Sequence, residues 1–408
     1  MPYTSISMQT TEEINTEDMA VWAFFPLPFL NGRILYCIAA NGNILTVAKG
    51  LHVDCYDSNN HHFFDVHNKT ELHEDFISDI AISSDNNYLT FITSVSKQLL
   101  ICNLPKMDKY TNVILPRSAS KIRFSVNNEQ ILVCDKSGDV LIYNVEDVCS
   151  GTKLLGHLSL LLDVLQTSDT KYIITCDRDE KIKVSCYPNT YNIKTYCLGH
   201  KEFVNHLELL PHNNQFLTSS SGDGTIKIWD YITGRLCYSI DTNVDVDNED
   251  LNKDFAKKMD EEGVDVVTLP IVHYAITKMN DDTSLLAVTL HSYNKLIIYS
   301  LHTEDYHFQH KREDLLTIEQ FPAAVAFNDK SLILYNNIDN CVSIMSLVLS
   351  NEKISFQLIN DIKMFQDRPV NFKAKTSLEI IKVLYKRKYD NVQEYQERKK
   401  QRLEKSQK

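Results

Sequence analysis

The chain has 408 residues, of which 43% are hydrophobic and 24% are charged, with a formal net charge of -12 at pH 7. This length allows a large core, and the acidic balance argues against a main nucleic-acid-binding role, because phosphate contacts need clustered lysines and arginines. The ten cysteines are scattered without a Cys-x-x-Cys pair. We therefore expect reduced, packed thiols instead of disulfides or a zinc site.

The first apolar stretch, residues 19–30, predicts neither a signal peptide nor a membrane span. Four acidic residues lie just before it, and Pro26 and Pro28 interrupt it. We therefore expect an N-terminal extension over residues 1–19, a main domain over residues 20–370, and a soluble, intracellular protein without a membrane partner.

A repeated strand ending organises residues 20–370. The clearest copy is Ile228-Trp229-Asp230, and six weaker copies surround it. The copies centre on Tyr56, Cys102, Tyr143, Ser185, Trp229, Tyr299 and Met345. Successive centres are 46, 41, 42, 44, 70 and 46 residues apart, close to the period of WD40 blades, and short β-branched and aromatic runs alternate with polar turns. The sequence predicts an all-β, seven-bladed WD40 β-propeller.

The one long interval contains an acidic insertion, residues 241–265. The insertion has ten acidic residues against three lysines, and removing its 25 residues from the interval of 70 leaves 45. Because high charge density opposes packing, we expect an inserted, largely solvated loop between blades five and six.

Residues 199–230 predict a buried polar chain inside blade five. In such a blade, a histidine of the preceding loop, a serine of the second strand, an aspartate of the next turn and a tryptophan of the third strand can bond to one another. The residues at these places are His200, Ser219, Asp223 and Trp229. Their predicted role is structural.

Blade four departs from this pattern. Ser185 stands at the tryptophan position, and a run of mixed charge, residues 177–183, lies just before it. Such a run is typical of a solvated hairpin, and the alternative is a docking site for a protein. The residues alone leave both interpretations open.

The last segment, residues 371–408, predicts a basic, helical tail. Residues 376–379 have the form of a capping box, and apolar residues follow at helical spacing. From Lys386 onward there are nine basic and four acidic side chains, so this tail either contacts RNA or a partner, or stays solvated. The candidate RNA contacts are Lys386, Arg387, Lys388, Arg398, Lys399, Lys400 and Arg402.

The sequence lacks recognisable catalytic motifs. It has no Walker loop, no H-E-x-x-H helix, no G-x-S-x-G elbow and no dinucleotide fingerprint. His61 and His62 would face opposite sides of a strand, and no third metal ligand is obvious. We therefore expect a chain without a catalytic residue, metal or bound cofactor.

Blades four and five resemble a known family. The segments that carry the resemblance are residues 155–164, 177–185, 198–204 and 219–229. They closely resemble the non-catalytic WD-repeat subunit of the tRNA guanine-N7 methyltransferase, over about residues 150–240 and more weakly over most of the chain. The segment Asp-Arg-Asp-Glu-Lys-Ile-Lys-Val-Ser is not a generic WD motif, so the resemblance is specific.

The resemblance implies a heterodimer in which a separate subunit binds S-adenosylmethionine and methylates a guanine in the tRNA variable loop. This chain would stabilise that subunit, supply no catalytic group and meet tRNA mainly through its partner. It also implies residence in the nucleus, with the cytoplasm as an additional location. A general WD40 adaptor in ubiquitin ligation or chromatin is the alternative, because fold alone does not identify a partner; an autonomous enzyme is the least favoured.

The resemblance also places the charged run of blade four at the subunit contact. Carried over by position, Lys183 is the first candidate to pair with an acidic residue of the catalytic subunit, and Arg178 and Lys181 come next. The remaining residues of the run, which would orient the turn or pair within it, are Asp177, Asp179 and Glu180.

Overall fold

The computed structural model describes residues 36–57, 60–66, 75–148, 150–350, 353–366 and 381–387. Within these ranges the strands form seven antiparallel four-stranded sheets, and each sheet consists of four strands that are consecutive in sequence. The sheets are the blades of a β-propeller. The prediction of an all-β, seven-bladed propeller is confirmed.

The first four blades occupy the amino-terminal half of the ring. Blade one comprises β1 (Tyr36–Asn41), β2 (Ile44–Lys49), β3 (His52–Tyr56) and β4 (His61–Asp65). Blade two comprises β5 (Ile77–Ile82), β6 (Tyr88–Thr93), β7 (Gln98–Asn103) and β8 (Tyr110–Ile114). Blade three comprises β9 (Ala119–Phe124), β10 (Gln130–Asp135), β11 (Asp139–Asn144) and β12 (Thr152–Gly156). Blade four comprises β13 (Leu161–Gln166), β14 (Tyr172–Asp177), β15 (Ile182–Cys186) and β16 (Ile193–Cys197).

The other three blades complete the ring. Blade five comprises β17 (Val204–Leu209), β18 (Phe216–Ser221), β19 (Thr225–Asp230) and β20 (Arg235–Asp241). Blade six comprises β21 (Ile271–Lys278), β22 (Thr283–Leu290), β23 (Lys295–Glu304) and β24 (His307–Thr317). Blade seven comprises β25 (Ala324–Asn328), β26 (Ser331–Asn336), β27 (Cys341–Ser350) and β28 (Lys353–Lys363). All seven predicted strand endings lie on the third strand of their blade.

Burial decreases from the first strand of a blade to the fourth. All six residues of β5 are buried, whereas four of the five residues of β8 are exposed. First strands of neighbouring blades pack together, except that β21 of blade six packs mainly against β18 of blade five, and the ring closes where β1 packs against β25. In each antiparallel meander, the turn between strands two and three lies at the same end as the connection to the next blade; we call the surface formed by these segments the upper face.

A buried network of charged side chains joins the first strands of several blades. Arg123 of blade three donates to Asp163 of blade four, at 3.0 and 2.7 Å, and to Glu208 of blade five, at 3.0 Å. The Lys121 ammonium lies 3.9 Å from the Asp79 carboxylate of blade two. Burial alone would raise the pKa of Asp163, but the Arg123 and Lys121 cations hold it well below its usual range. This network therefore fixes blades two to five relative to one another.

The acidic insertion contains a short 3-10 helix, Thr242–Asp245, and an α-helix, α1 (Glu249–Glu261). The Asn248 side chain caps α1 by accepting from the Leu251 backbone N–H, and Phe255 and Met259 are buried. Most residues of the insertion are exposed or partly exposed, but much of it is helical, so the prediction of a loop is wrong for this segment. In the described part of the chain, no helix has the length and hydropathy that a membrane span requires.

Candidate interaction site on blade four

Blade five contains a continuous polar chain. Trp229 Nε1 donates to Ser219 Oγ at 2.8 Å, Ser219 Oγ lies 2.8 Å from His200 Nε2, and His200 Nδ1 lies 3.0 Å from an Asp223 oxygen. Burial lowers the pKa of His200, so its ring is neutral at pH 7 and donates from Nδ1 to the carboxylate. Every polar group of the chain then has a partner. This arrangement stabilises the blade and leaves no group available for chemistry.

Blade four repeats only half of this series of hydrogen bonds. His157 Nδ1 lies 2.8 Å from Asp177 Oδ2, and its Nε2 lies 2.8 Å from Thr175 Oγ1. Ser185 takes the place of the tryptophan, and its hydroxyl is buried with no hydrogen-bond partner among the described residues. The third strand of blade four is therefore less firmly held to the second than in blade five.

The Asp177 carboxylate organises the charged turn that follows β14. One oxygen accepts from the backbone N–H groups of Asp179 and Lys181, at 2.9 and 3.0 Å, while the other faces His157. Glu180 adopts a left-handed conformation, with φ of 69°. Asp177 is 1% exposed, so the structure places it inside the turn, where it orients the neighbouring charges.

Lys183 lies on β15 and is 6% exposed in the isolated chain. Its Nζ donates to the Gly156 carbonyl at the end of blade three, at 2.6 Å. Burial lowers the pKa of Lys183, and the nearby Asp177 carboxylate opposes this shift. An ammonium in this position would gain from a further acidic partner, because one carbonyl offsets its loss of water only in part.

The other charged residues of the run differ in exposure. Arg178 Nε lies 3.8 Å from Asp179 Oδ1, too far for a direct hydrogen bond, and Glu180 pairs with Lys386 of the C-terminal segment. Lys181 is the exposed member of the run. The structure thus brings all of the candidates to the upper face of blade four, with Lys181 outermost and Lys183 beneath it.

Sequence reasoning missed Leu158, which is fully exposed on the same face. It follows His157 in the loop that leads into blade four, and the Arg178 backbone N–H donates to Leu160 two positions further on. The equivalent residue of blade five is Lys201, so comparing the two Gly-His pairs would have revealed an apolar residue at a normally polar place. A single exposed leucine is ordinary on a protein surface, but this one lies on the same face as the charged run of blade four.

The C-terminal segment, residues 381–387, also lies on the upper face. Tyr385 donates its hydroxyl hydrogen to the Gly222 carbonyl of blade five at 2.7 Å. Lys386, a candidate RNA contact, is paired with Glu180, and both Lys386 and Arg387 are exposed. The other candidate RNA contacts and the proposed capping box lie outside the described residues. These residues are Lys388, Arg398, Lys399, Lys400 and Arg402.

The described side chains also show how far the chain meets the requirements of a metal site and of a reactive thiol. Within the described ranges, no group of three or more His, Cys, Asp or Glu side chains is placed to hold a metal ion. The thiols of Cys134 and Cys176 are buried, and burial raises the pKa of both well above the usual value. His157 and His200 are hydrogen-bonded within the polar chains of their own blades.

Solved structures share the fold. One is a chain of the mitotic checkpoint complex, with a TM-score of 0.58, 11% identity, and coverage of 88% of this chain and 98% of that chain. Another is the Myceliophteria thermophila Cps50 (Swd1) β-propeller domain, with a TM-score of 0.58, 12% identity, and coverage of 79% of this chain and all of that domain. At this level of identity, the likeness concerns the fold alone.

Proteins related in sequence identify the family, which the shared fold does not. The family model described as the tRNA methyltransferase TRM82 WD40 domain matches residues 144–353. The Drosophila mojavensis tRNA (guanine-N(7)-)-methyltransferase non-catalytic subunit wuho is 31% identical, over 80% of this chain and 81% of the relative. The Culex quinquefasciatus protein of the same name is 34% identical, over 72% and 67%, and the Danio rerio subunit wdr4 is 38% identical, over 47% and 48%. The chain therefore belongs to the family of WD40-repeat, non-catalytic subunits of tRNA (guanine-N(7)-)-methyltransferase.

Proposed function

We propose that this chain forms a heterodimer with the catalytic methyltransferase subunit and stabilises it through the upper face of blade four. The catalytic subunit would bind S-adenosylmethionine and the tRNA guanine. The observation that carries the proposal is Lys183, an almost fully buried ammonium that donates, within the described ranges, one hydrogen bond, to the Gly156 carbonyl. A partner carboxylate placed there would complete its coordination.

The surroundings of Lys183 support a contact of this kind. Leu158 offers a fully exposed apolar side chain that a partner would remove from water, and Lys181 offers an exposed positive charge on the same face. A catalytic subunit that fits this surface would present an apolar pocket flanked by acidic side chains. Arg178, whose Nε has no hydrogen-bond partner among the described residues, would add a second cation to the contact.

The tRNA would meet this complex mainly through the catalytic subunit. The net charge of -12 disfavours phosphate binding by the propeller as a whole, whereas Arg387 and the basic residues that follow it are candidates for a few additional contacts. Removing those additional contacts should reduce the salt dependence of tRNA binding by the complex without weakening the subunit contact.

We also propose nuclear residence, which cell fractionation would test.

The decisive experiment compares Lys183→Glu with Lys227→Glu in the full-length chain. Lys227 occupies the same place in blade five and is 9% exposed, but its ammonium donates to Ser239 of its own blade at 3.0 Å. We expect Lys183→Glu to weaken association with the cognate catalytic subunit by at least about tenfold, because like charges then face each other. Lys227→Glu should leave this affinity within about twofold.

Two further readouts complete the experiment. The melting temperature of each isolated propeller separates a contact effect from unfolding, and N7-methylguanosine formation in tRNA should fall in parallel with association. If Lys183→Glu binds the catalytic subunit as tightly as the unmodified chain, the blade-four contact is wrong. If the endogenous protein co-purifies stoichiometrically with other proteins and without a methyltransferase subunit, the adaptor alternative replaces the proposal.

A further inference from the structure

We infer that residues 381–387 form a clasp that holds the blade-four turn in the orientation that the catalytic subunit binds. Tyr385 and Lys386 are then positioning residues of the subunit contact, although they lie about 200 residues away from it in sequence. This inference rests on the proposed function. It concerns how the contact surface is shaped, and it assigns no partner contact to the clasp itself.

Apolar side chains seat the clasp on blade five. Ile381 and Leu384 are each 1% exposed, and Tyr385 is 3% exposed. The Tyr385 ring meets the Phe203 ring edge to face, with centroids 5.0 Å apart, and its hydroxyl donates to Gly222 in the turn between β18 and β19. Burial of three such side chains gives the segment one defined position.

Two ion pairs extend the clasp to other parts of the upper face. Lys382 Nζ lies 2.8 Å from Glu262, which caps the carboxyl end of α1. Lys386 pairs with Glu180 in the blade-four turn. The clasp thus joins three elements that are distant in sequence: the turn of blade four, the turn of blade five and the end of the acidic helix.

The pair between Lys386 and Glu180 also balances a local excess of negative charge. Glu202 lies in the loop between blades four and five, and its pKa is raised to about 7 by burial first and by the Glu180 and Asp223 carboxylates next. Lys386 acts against this shift, and its own pKa is raised by the hydrogen bond to Glu180 and by the nearby Asp179 and Glu202. Without Lys386, these carboxylates would repel one another and displace the turn.

Displacement of this turn would act directly on the proposed contact. Glu180 is adjacent to Lys181 and three residues before Lys183, and the Asp177 carboxylate links its flanking residues through their backbone N–H groups. A shift of Glu180 therefore moves the exposed cation at the rim and loosens the site above Lys183. Partner affinity should depend on the clasp for this reason.

The test uses full-length chains and the cognate catalytic subunit. Lys386→Glu reverses the charge that faces Glu180, Arg387→Glu is a matched control at the exposed neighbour, and the exchange Glu180→Lys with Lys386→Glu restores an opposite pair. We expect Lys386→Glu to weaken association at least about tenfold, Arg387→Glu to change it less than about threefold, and the exchange to recover affinity to within about threefold of the unmodified chain.

Each other outcome overturns the inference. Unchanged affinity of Lys386→Glu shows that the clasp does not position the contact. Weak binding that the exchange fails to recover shows that Lys386 or Glu180 touches the partner itself. If the unmodified chain binds no methyltransferase subunit, the proposed function and the clasp's role in it fail together, whereas loss of binding by Lys183→Glu without loss by Lys386→Glu removes the clasp alone.

Discussion

Leu158 and Lys201 occupy the same place in neighbouring blades, directly after the Gly-His pair of the preceding loop, but only Leu158 presents an apolar side chain to solvent. In blade five the Lys201 backbone N–H donates to Asp223 at 2.9 Å, and its side chain is exposed and charged. The two blades are built on the same plan, so the side chain at this position is the feature that distinguishes them. The difference also provides a matched pair of variants.

Leu158→Ser should weaken association with the catalytic subunit by at least about tenfold. Burying a leucine side chain in an interface contributes about 1.5–3 kcal/mol, and a serine recovers little of that. The melting temperature of the isolated propeller should not change, because the leucine makes its contribution only in the complex. Isothermal titration with the catalytic subunit measures the effect, and Lys201→Ser, the control, should bind normally. Equal affinities for the two variants would contradict a contact at Leu158.

Ser185→Ala should leave stability unchanged or raise it by about 1 kcal/mol. The Ser185 hydroxyl is buried and has no hydrogen-bond partner among the described residues, so removing it relieves an uncompensated loss of water. Ser219→Ala in blade five should instead destabilise the chain by about 1–3 kcal/mol, because Trp229 Nε1 and a His200 nitrogen lose their partner. Urea unfolding at pH 7 compares them, and equal losses would mean that the Ser185 hydroxyl is satisfied in solution.

The repeat period and blade pattern were readable from sequence because each blade is a local unit. The third strand of each blade contains the same kind of triplet, from Tyr56 to Met345, and the intervals between triplets measure the blade. Local hydrogen bonding within one blade likewise made the partners of Trp229 predictable. The seven-bladed fold therefore followed from sequence alone.

Helix α1 was missed for a different reason. Its charge density suggested a loop, but Leu251, Phe255 and Met259 recur at intervals of four residues, and Asn248 stands at a capping position. Three apolar side chains on one stripe are sufficient when blade six supplies the surface beneath them. The prediction relied on the high charge of the segment, although the four-residue spacing of its apolar side chains was the better indicator of a helix.

The sequence around Lys386 and around Glu180 gave no indication that these two residues pair. These residues are 206 positions apart, and each one looks like an ordinary surface charge in its own segment. The packing of residues 381–387 on the upper face, including Tyr385 against Phe203, brings them together. Lys386 was therefore predicted as a possible RNA contact, although in the structure its ammonium is engaged within the chain.

Arg123→Met should destabilise the propeller by about 3–5 kcal/mol, since it leaves the buried Asp163 and Glu208 carboxylates without their cation. Arg117→Met is the control: the Arg117 side chain is 58% exposed and lies 3.7 Å from Asp139, so its loss should change stability by less than about 1 kcal/mol. The free energy of unfolding in urea at pH 7 gives both values. A small loss for Arg123→Met would show that water or a counter-ion replaces the guanidinium.

Glu202→Gln should stabilise the chain at pH 8 but not at pH 4.5. The pKa of Glu202 rises from 4.5 to about 7 on folding, because of burial first and then the nearby Glu180 and Asp223 carboxylates. A raised pKa means that the native state holds the proton more tightly, so the corresponding stability is complete below pH 4.5 and is lost as pH rises through 7. Glutamine has no proton to lose. The difference in unfolding free energy between the two chains should therefore grow from near zero at pH 4.5 to a plateau above pH 7.

The difference between the two chains reports on Glu202 alone. Burial lowers the pKa of His157 and His200, so protonation of these rings at low pH destabilises the fold. This loss is the same in both chains and cancels in the difference. Lys386→Met removes a cation that holds the pKa of Glu202 down, so in that background the plateau should begin at higher pH. Urea unfolding from pH 4.5 to 9 provides the curves. A difference that stays constant with pH would show that Glu202 titrates normally and that the clasp lies away from it in solution.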